Sequence, residues 1–156
     1  MKFLEMVKEA HIWARAGRPL GTSRVVLDRW NVFVSDQACM ALLGAPHHIP
    51  FAMTVPMVVD GTYTVGYVVN NKFFEQPEWW QRCALRHEEG HFMLGHAAKV
   101  RWYTSVLRLI REDQMELDAD KYASNIEGRE VYVKFLKLYA TFGARHMAYR
   151  IAKVVA

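Results

Sequence analysis

The stretch Thr54-Val55-Pro56-Met57-Val58-Val59-Asp60-Gly61-Thr62-Tyr63-Thr64-Val65-Gly66-Tyr67-Val68-Val69-Asn70-Asn71 holds two β-rich runs joined by Asp60-Gly61. A two-residue Asp-Gly connection is the preferred turn of a tight hairpin, so the segment reads as paired antiparallel strands. In the second run Tyr63, Val65, Tyr67 and Val69 alternate with Thr62, Thr64 and Gly66, which leaves one face apolar. Upstream, Val25 to Val34 is rich in β-branched and aromatic residues and reads as extended. Ser35 and Asp36 can cap a short helix from Gln37 to Leu43 that ends at Gly44, and Pro46 to Pro50 form a loop. At the start of the chain, Phe3, Met6, Val7, Ala10 and Trp13 recur at helical spacing within Lys2 to Ala16, before Gly17, Arg18 and Pro19 stop the pattern. Downstream of the hairpin the chain reads as helices over 78–95, 99–126 and 129–155, with Gly90, Gly128 and Gly143 as bends or ends. Helix, small sheet, then helices predicts an α+β fold in one domain spanning residues 1–156, with a small antiparallel-rich sheet packed on a helical layer.

Composition sets the bounds. A chain of 156 residues, 52% hydrophobic and 13% aromatic, can bury one ordinary core and is far from a disordered composition. Cys39 and Cys83 are the two cysteines, too few and too far apart for a disulfide framework or a zinc-binding CxxC pair, which points to a reducing compartment. Lys2, Glu5, Lys8 and Glu9 interrupt the N-terminal segment, so it lacks the apolar core of a secretory signal, and no run of 18 apolar residues suggests a membrane span. A soluble, cytoplasmic protein with no membrane partner is expected. The net charge of +4 is unevenly spread. Bases outnumber acids six to three over residues 1–30 and six to one over 129–156, but are outnumbered six to three over 31–98 and six to five over 99–128. Basic ends without aromatic interleaving or a DNA-binding motif read as solvated faces, so nucleic acid is not expected as a partner.

The residues that carry chemistry lie in Arg86-His87-Glu88-Glu89-Gly90-His91-Phe92-Met93-Leu94-Gly95-His96, where His87 to His91 matches HExxH on a predicted helix. Residues four apart are turned by about 400°, or 40° net, so both imidazoles project from one face and can hold a single ion. Glu88 sits about 100° round from His87, beside the ligands, where a general base is needed. Two histidines leave a catalytic zinc site one protein ligand short. The next helix supplies Glu116-Leu117-Asp118-Ala119-Asp120. Glu116 and Asp120 share a face, while Asp118 turns away toward solvent. Glu116 is then the third ligand, and Asp120 accepts from the far N–H of a ligand histidine.

The run HEEGH at 87–91, followed after 24 residues by ELDAD at 116–120, resembles the gluzincin zinc metallopeptidases, in particular the minigluzincins and the ImmA/IrrE-type peptidases, whose pattern is HExGH and then ExxA[DN]. The resemblance covers residues 63–125 and leaves both ends uncovered. It implies a zincin-like domain with one zinc held by His87, His91 and Glu116, Glu88 as base and Asp120 behind the ligands. It also implies that Tyr63 to Asn70 is an edge strand, packed on the HExxH helix, along which an extended peptide or protein substrate lies antiparallel. The activity so implied is peptide hydrolysis through a metal-activated water.

An oxyanion donor is still needed, and His146, Arg145, Tyr103 and Tyr122 are the candidates. His146 is preferred because it falls on a late helix beyond the metal motifs, against the plainer reading of a core or surface histidine. His96 lies about 180° from His87 on an unbroken helix and reads as a C-terminal cap, unless Gly95 breaks the helix. His47 and His48 read as a loop pair and His11 as part of the first helix. Trp79, Trp80, Trp102 and Tyr103 read as packing before substrate pockets. Two other functions compete: a zinc-binding sensor or regulatory module of the same fold that cuts nothing, and a metal-free helical interaction domain. Retention of Glu88 favours the enzyme over the first, and about one zinc per purified chain excludes the second.

Overall fold

Leu27 and Asp28 both take left-handed backbone, each with φ of 54°. They reverse the chain between β1 (Thr22–Val26) and β2 (Trp30–Val34), which pair antiparallel from Thr22↔Val34 to Val26↔Trp30. The segment expected as one extended run is therefore a hairpin. Consecutive positive φ values match the right-handed twist of paired strands, and an Asp tolerates that conformation better than most residues. The computed structural model describes residues 21–43, 48–59, 62–96, 105–142 and 147–156. The N-terminal helix expected over Lys2 to Ala16, the turn residues Asp60 and Gly61, Trp102, Tyr103, Arg145 and His146 lie outside these. Among the described residues the fold is mixed α+β, as expected, with five α-helices and a four-stranded sheet. No helix among them is long and apolar enough to cross a membrane. The chain divides into two compact units, one up to Pro77 and one from Glu78 to Ala156.

In the first unit, α1 (Asp36–Leu43) follows β2 directly, with Ser35 Oγ accepting from the Ala38 amide at 3.0 Å as its N-terminal cap. β3 (Ala52–Val59) and β4 (Thr62–Val69) then form the second hairpin, with Val59 paired to Thr62 so that two residues connect them. β2 joins β4 in parallel through Val32↔Tyr67, Phe33↔Val68 and Val34↔Val69. The resulting order is β1-β2-β4-β3.

This order corrects one expectation. The strand at Tyr63 to Asn70, implied to be an edge, is paired with β3 along Thr62 to Val69 and with β2 over Tyr67, Val68 and Val69, so its C-terminal end is not an edge. Its last two residues, Val68 and Val69, are both fully buried, and neighbours in a strand point to opposite faces, so both faces are covered there. Among the described residues β3 takes the edge instead, and Pro56, which has no amide proton to give a ladder, sits where a proline is tolerated. The unit's core comprises Ala38 and Cys39 from α1, Met53 and Val55 from β3 and Val68 from β4, with Phe33 and Phe51 packed against them. Asn70 closes β4 with a buried side chain that accepts from the Phe51 and Phe73 amides at 3.0 and 3.2 Å and donates to Ile49 O at 2.6 Å. Those bonds start the 3-10 turn Asn71–Glu75.

The second unit is helical: α2 (Glu78–Met93), α3 (Ser105–Glu127), α4 (Arg129–Thr141) and α5 (Met147–Val155). α2 packs on α3, and α4 and α5 close against both α3 and each other. On α2 the buried positions Trp80, Cys83, Ala84 and His87 follow helical spacing, as do Met115, Ala119 and Ala123 on α3. Trp80 packs its ring at a tilt against Phe135 and Tyr139 of α4, with centroids 5.3 and 6.0 Å away, so it is a core residue, as read from the sequence. Trp79 instead lies under the Lys134 ammonium, 4.5 Å away. α2 runs unbroken through Gly90, which was expected as a bend or an end. The helix stops at Met93 because Gly95 turns left-handed at φ +70°, with Leu94 N bonding Gly90 O and Gly95 N bonding Phe92 O.

Candidate metal centre

Every described member of the site lies in the helical unit. His87 and His91 stand one turn apart on α2 and their Nε2 atoms face each other at 3.0 Å. Glu116, from α3, places one carboxylate oxygen 3.0 Å from His87 Nε2 and the other 3.2 Å from His91 Nε2. The two Nε2 atoms and the two Glu116 oxygens thus converge, each nitrogen 3.0 Å from the other and 3.0–3.2 Å from one oxygen of the carboxylate. A tetrahedral ion with bonds of about 2.0–2.2 Å requires donors roughly 3.3–3.6 Å apart, so a zinc fits here after a shift of a few tenths of an ångström. Glu88 accompanies them: a donor atom from each of His87, Glu88 and His91 lies within 4.8 Å of the others.

The hydrogen bonds behind the histidines determine which nitrogen is free to ligate. Tyr132 gives its single hydroxyl proton to Asp120 Oδ1 at 2.6 Å, so its oxygen and the Asp120 carboxylate are both acceptors toward His87 Nδ1, at 2.9 and 3.0 Å. His87 must then carry a proton on Nδ1, so Nε2, which faces Glu116 and His91, is the nitrogen that would meet a metal by giving up its own proton. Asp120, fully buried, would be a costly lone charge, but Arg150 of α5 grips it with two bonds, Nε to Oδ2 at 2.8 Å and an Nη to Oδ1 at 2.7 Å. A further Arg150 nitrogen lies 3.5 Å from Glu116.

These neighbours set the electrostatics. Burial opposes charge on His87, yet the carboxylates of Glu116 and Asp120 outweigh it and lift its pKa to about 10. Burial would raise Glu116, but His87 and then His91 hold it well below the usual carboxylate range. For Asp120, burial again works upward and is overcome by Arg150 and His87, leaving it at about 2. The Tyr132 hydroxyl is pushed well above its ordinary value by burial and the adjacent Asp120 charge, so it is a fixed donor. The site therefore keeps its carboxylates ionised and attracts a positive charge between its histidines, whether proton or metal.

Glu89, the other glutamate of the motif, is employed elsewhere. It is buried and paired with Arg86 at 2.6 Å, and it accepts from the Tyr122 hydroxyl at 3.1 Å, while Arg86 also holds Glu127 at 2.8 Å. Tyr122, one of the candidate oxyanion donors, is thus bonded to a structural ion pair. Asp118 bonds the exposed Gln114 at 2.9 Å, away from the ligands, as its angle predicts. His146, the preferred oxyanion donor, and the alternatives Arg145 and Tyr103 lie outside the described residues.

His96 departs from its expected position. Because Gly95 reverses the backbone, His96 folds back against the end of α2 and is buried, with its Nδ1 2.8 Å from His91 Nδ1. Tyr132, Arg150 and His96 are the contributors that motif reading did not assign. Only His96 had a local signal, the glycine before it. Tyr132 and Arg150 reach Asp120 across 12 and 30 residues, a distance no helical spacing encodes.

No family model matches the chain, and no curated protein and no solved structure is significantly similar to it.

Proposed function

We propose that the chain is a zinc-dependent peptidase, with His87, His91 and Glu116 holding one zinc ion and Glu88 acting as general base. The observation that carries this reading is the convergence of the two Nε2 atoms and the Glu116 carboxylate at 3.0–3.2 Å, with His87 Nδ1 held from behind so that Nε2 faces the site. When bound, the zinc supplies a Lewis acid and brings the pKa of a water toward about 7. Glu88, one residue round the helix from a ligand, takes the proton from the attacking water and passes it to the departing amine. Asp120 and Tyr132 keep His87 in place throughout, and Arg150 keeps Asp120 ionised. The substrate class is a peptide or protein.

Metal analysis of purified protein, followed by digestion of a peptide library with and without a chelator, tests the reading. About one zinc per chain and chelator-sensitive cleavage are expected. Zinc without cleavage would replace the peptidase with a silent zinc-binding regulatory module, and absence of zinc affinity would overturn both.

A further inference from the structure

We propose that His96 is a positioning residue for the metal centre. It accepts a hydrogen bond from the Nδ1–H of His91 and so fixes the tautomer and ring plane that present His91 Nε2 to the ion. The proposal rests on the zinc site described above and adds a residue to it that neither HExxH nor the glutamate helix contains.

Two imidazole nitrogens 2.8 Å apart are bonded only if one of them carries the proton. His91 Nε2 faces His87 Nε2 at 3.0 Å and Glu116 at 3.2 Å, so as a ligand it must offer its lone pair there. The proton of neutral His91 then sits on Nδ1, and His96 Nδ1 is the acceptor. The rings meet edge-on, with centroids 5.1 Å apart and planes at 63°, which restricts rotation of His91 about its own axis. His96 is only 4% exposed, so water competes little for this bond.

Backbone geometry supports the assignment independently. On a continuous helix His96 would point about 180° away from His87. The left-handed turn at Gly95 brings it back, and a Cβ at Gly95 would meet nothing within 4 Å. The glycine therefore serves the φ of +70° and not a crowded packing contact. The two ligand histidines acquire unlike partners: a buried carboxylate behind His87 and a neutral imidazole behind His91.

Zinc affinity measured by competition with a chromophoric chelator, on wild type, His96→Leu, His96→Asn and Glu116→Ala, tests the idea. His96→Leu is expected to weaken zinc binding roughly 10- to 100-fold, the usual cost of losing an orienting partner. His96→Asn, whose amide oxygen can still accept, is expected to recover much of the loss, which a purely space-filling role would not produce. Long-range proton–nitrogen NMR of the zinc-loaded wild type is expected to show His91 protonated at Nδ1, a readout that needs no variant. His96→Leu within about twofold of wild type, His96→Asn no better than His96→Leu, or His91 protonated at Nε2 would each overturn the proposal. If zinc binding depends on Glu116 but not on His96, only this inference falls. If the wild type binds no zinc, the peptidase reading falls with it.

Discussion

Gly90 and Ala119 lie in such close contact that a Cβ built on Gly90 would come within 3.2 Å of the Ala119 Cα, 3.3 Å of its carbonyl oxygen and 3.0 Å of Tyr122 Cδ1. Gly90 is one residue before the proposed ligand His91, and Ala119 is one residue before Asp120. The absent side chain therefore sets the approach of the two helices that carry the donors, and hence the 3.0–3.2 Å spacing between Glu116 and the histidines.

Gly90→Ala gains up to about 1 kcal/mol of helix propensity, but forcing a methyl group against backbone costs roughly 1–3 kcal/mol. The second effect should win, because two of the three contacts are with main-chain atoms that cannot rotate away. Lower stability in urea denaturation, together with weaker zinc binding, is expected, and Gly90→Val should be worse on both counts. A stabilised Gly90→Ala protein with unchanged zinc affinity would show that the contact does not hold the site.

Glu88→Gln keeps the size of the side chain but removes its basicity. Zinc content and thermal stability should remain at wild-type values, while peptide cleavage falls by roughly 10²–10⁴-fold, the contribution typical of a positioned base. Undiminished cleavage would remove Glu88 from the mechanism.

Glu116→Ala deletes the ligand proposed on α3. Zinc affinity should drop by several orders of magnitude in chelator competition. Retention of metal would mean that Glu88, within 4.8 Å of the histidine donors, is the third ligand instead.

Arg150→Leu strands the Asp120 carboxylate, which is fully buried and accepts two bonds from that guanidinium. Breaking one side of a buried pair costs about 3–5 kcal/mol. The double variant Arg150→Leu with Asp120→Asn should lose less than the two single changes summed, because no unpaired charge remains. Strict additivity in denaturant melts would contradict the coupling.

Cys39 and Cys83 test the packing of each unit. Burial, then the nearby Asp36, pushes the Cys39 thiol up to about 12; burial, then Glu127, does the same for Cys83 against the opposing pull of Arg82 and Arg86. Neither thiol should react with Ellman's reagent at pH 8 in the native protein, and both should react in denaturant. Because an unfolded thiol ionises near about 8.5 while the folded one stays neutral, this contribution is intact at neutral pH and is lost as pH rises through the window up to about 12. Rapid native-state labelling would show that the cores are open.

The helix faces that carry the proposed metal donors were legible because helical periodicity is local. The spacing of His87 and His91 places two imidazoles on one face, and that of Glu116 and Asp120 does the same for two carboxylates, whatever the rest of the chain does. The hairpin around residues 54–69 was legible for a similar reason, since a two-residue turn sets its own register. Strand order was not. Pairing of β2 with β4 joins residues 35 positions apart, and it places Tyr67 to Val69, the end of the strand implied to be an edge, inside the sheet. Pro56 was the one clue, because a strand with a missing amide proton belongs at an edge. The support of the site was equally non-local: Tyr132 and Arg150 meet Asp120 only through the packing of α4 and α5 on α3. Sequence alone determined which side chains share a helix face, because that follows from 100° per residue. Tertiary structure decided which charges are buried together, which nitrogen of His87 is protonated and that His96 turns back onto His91, because desolvation and hydrogen bonding depend on neighbours that the chain brings in from elsewhere.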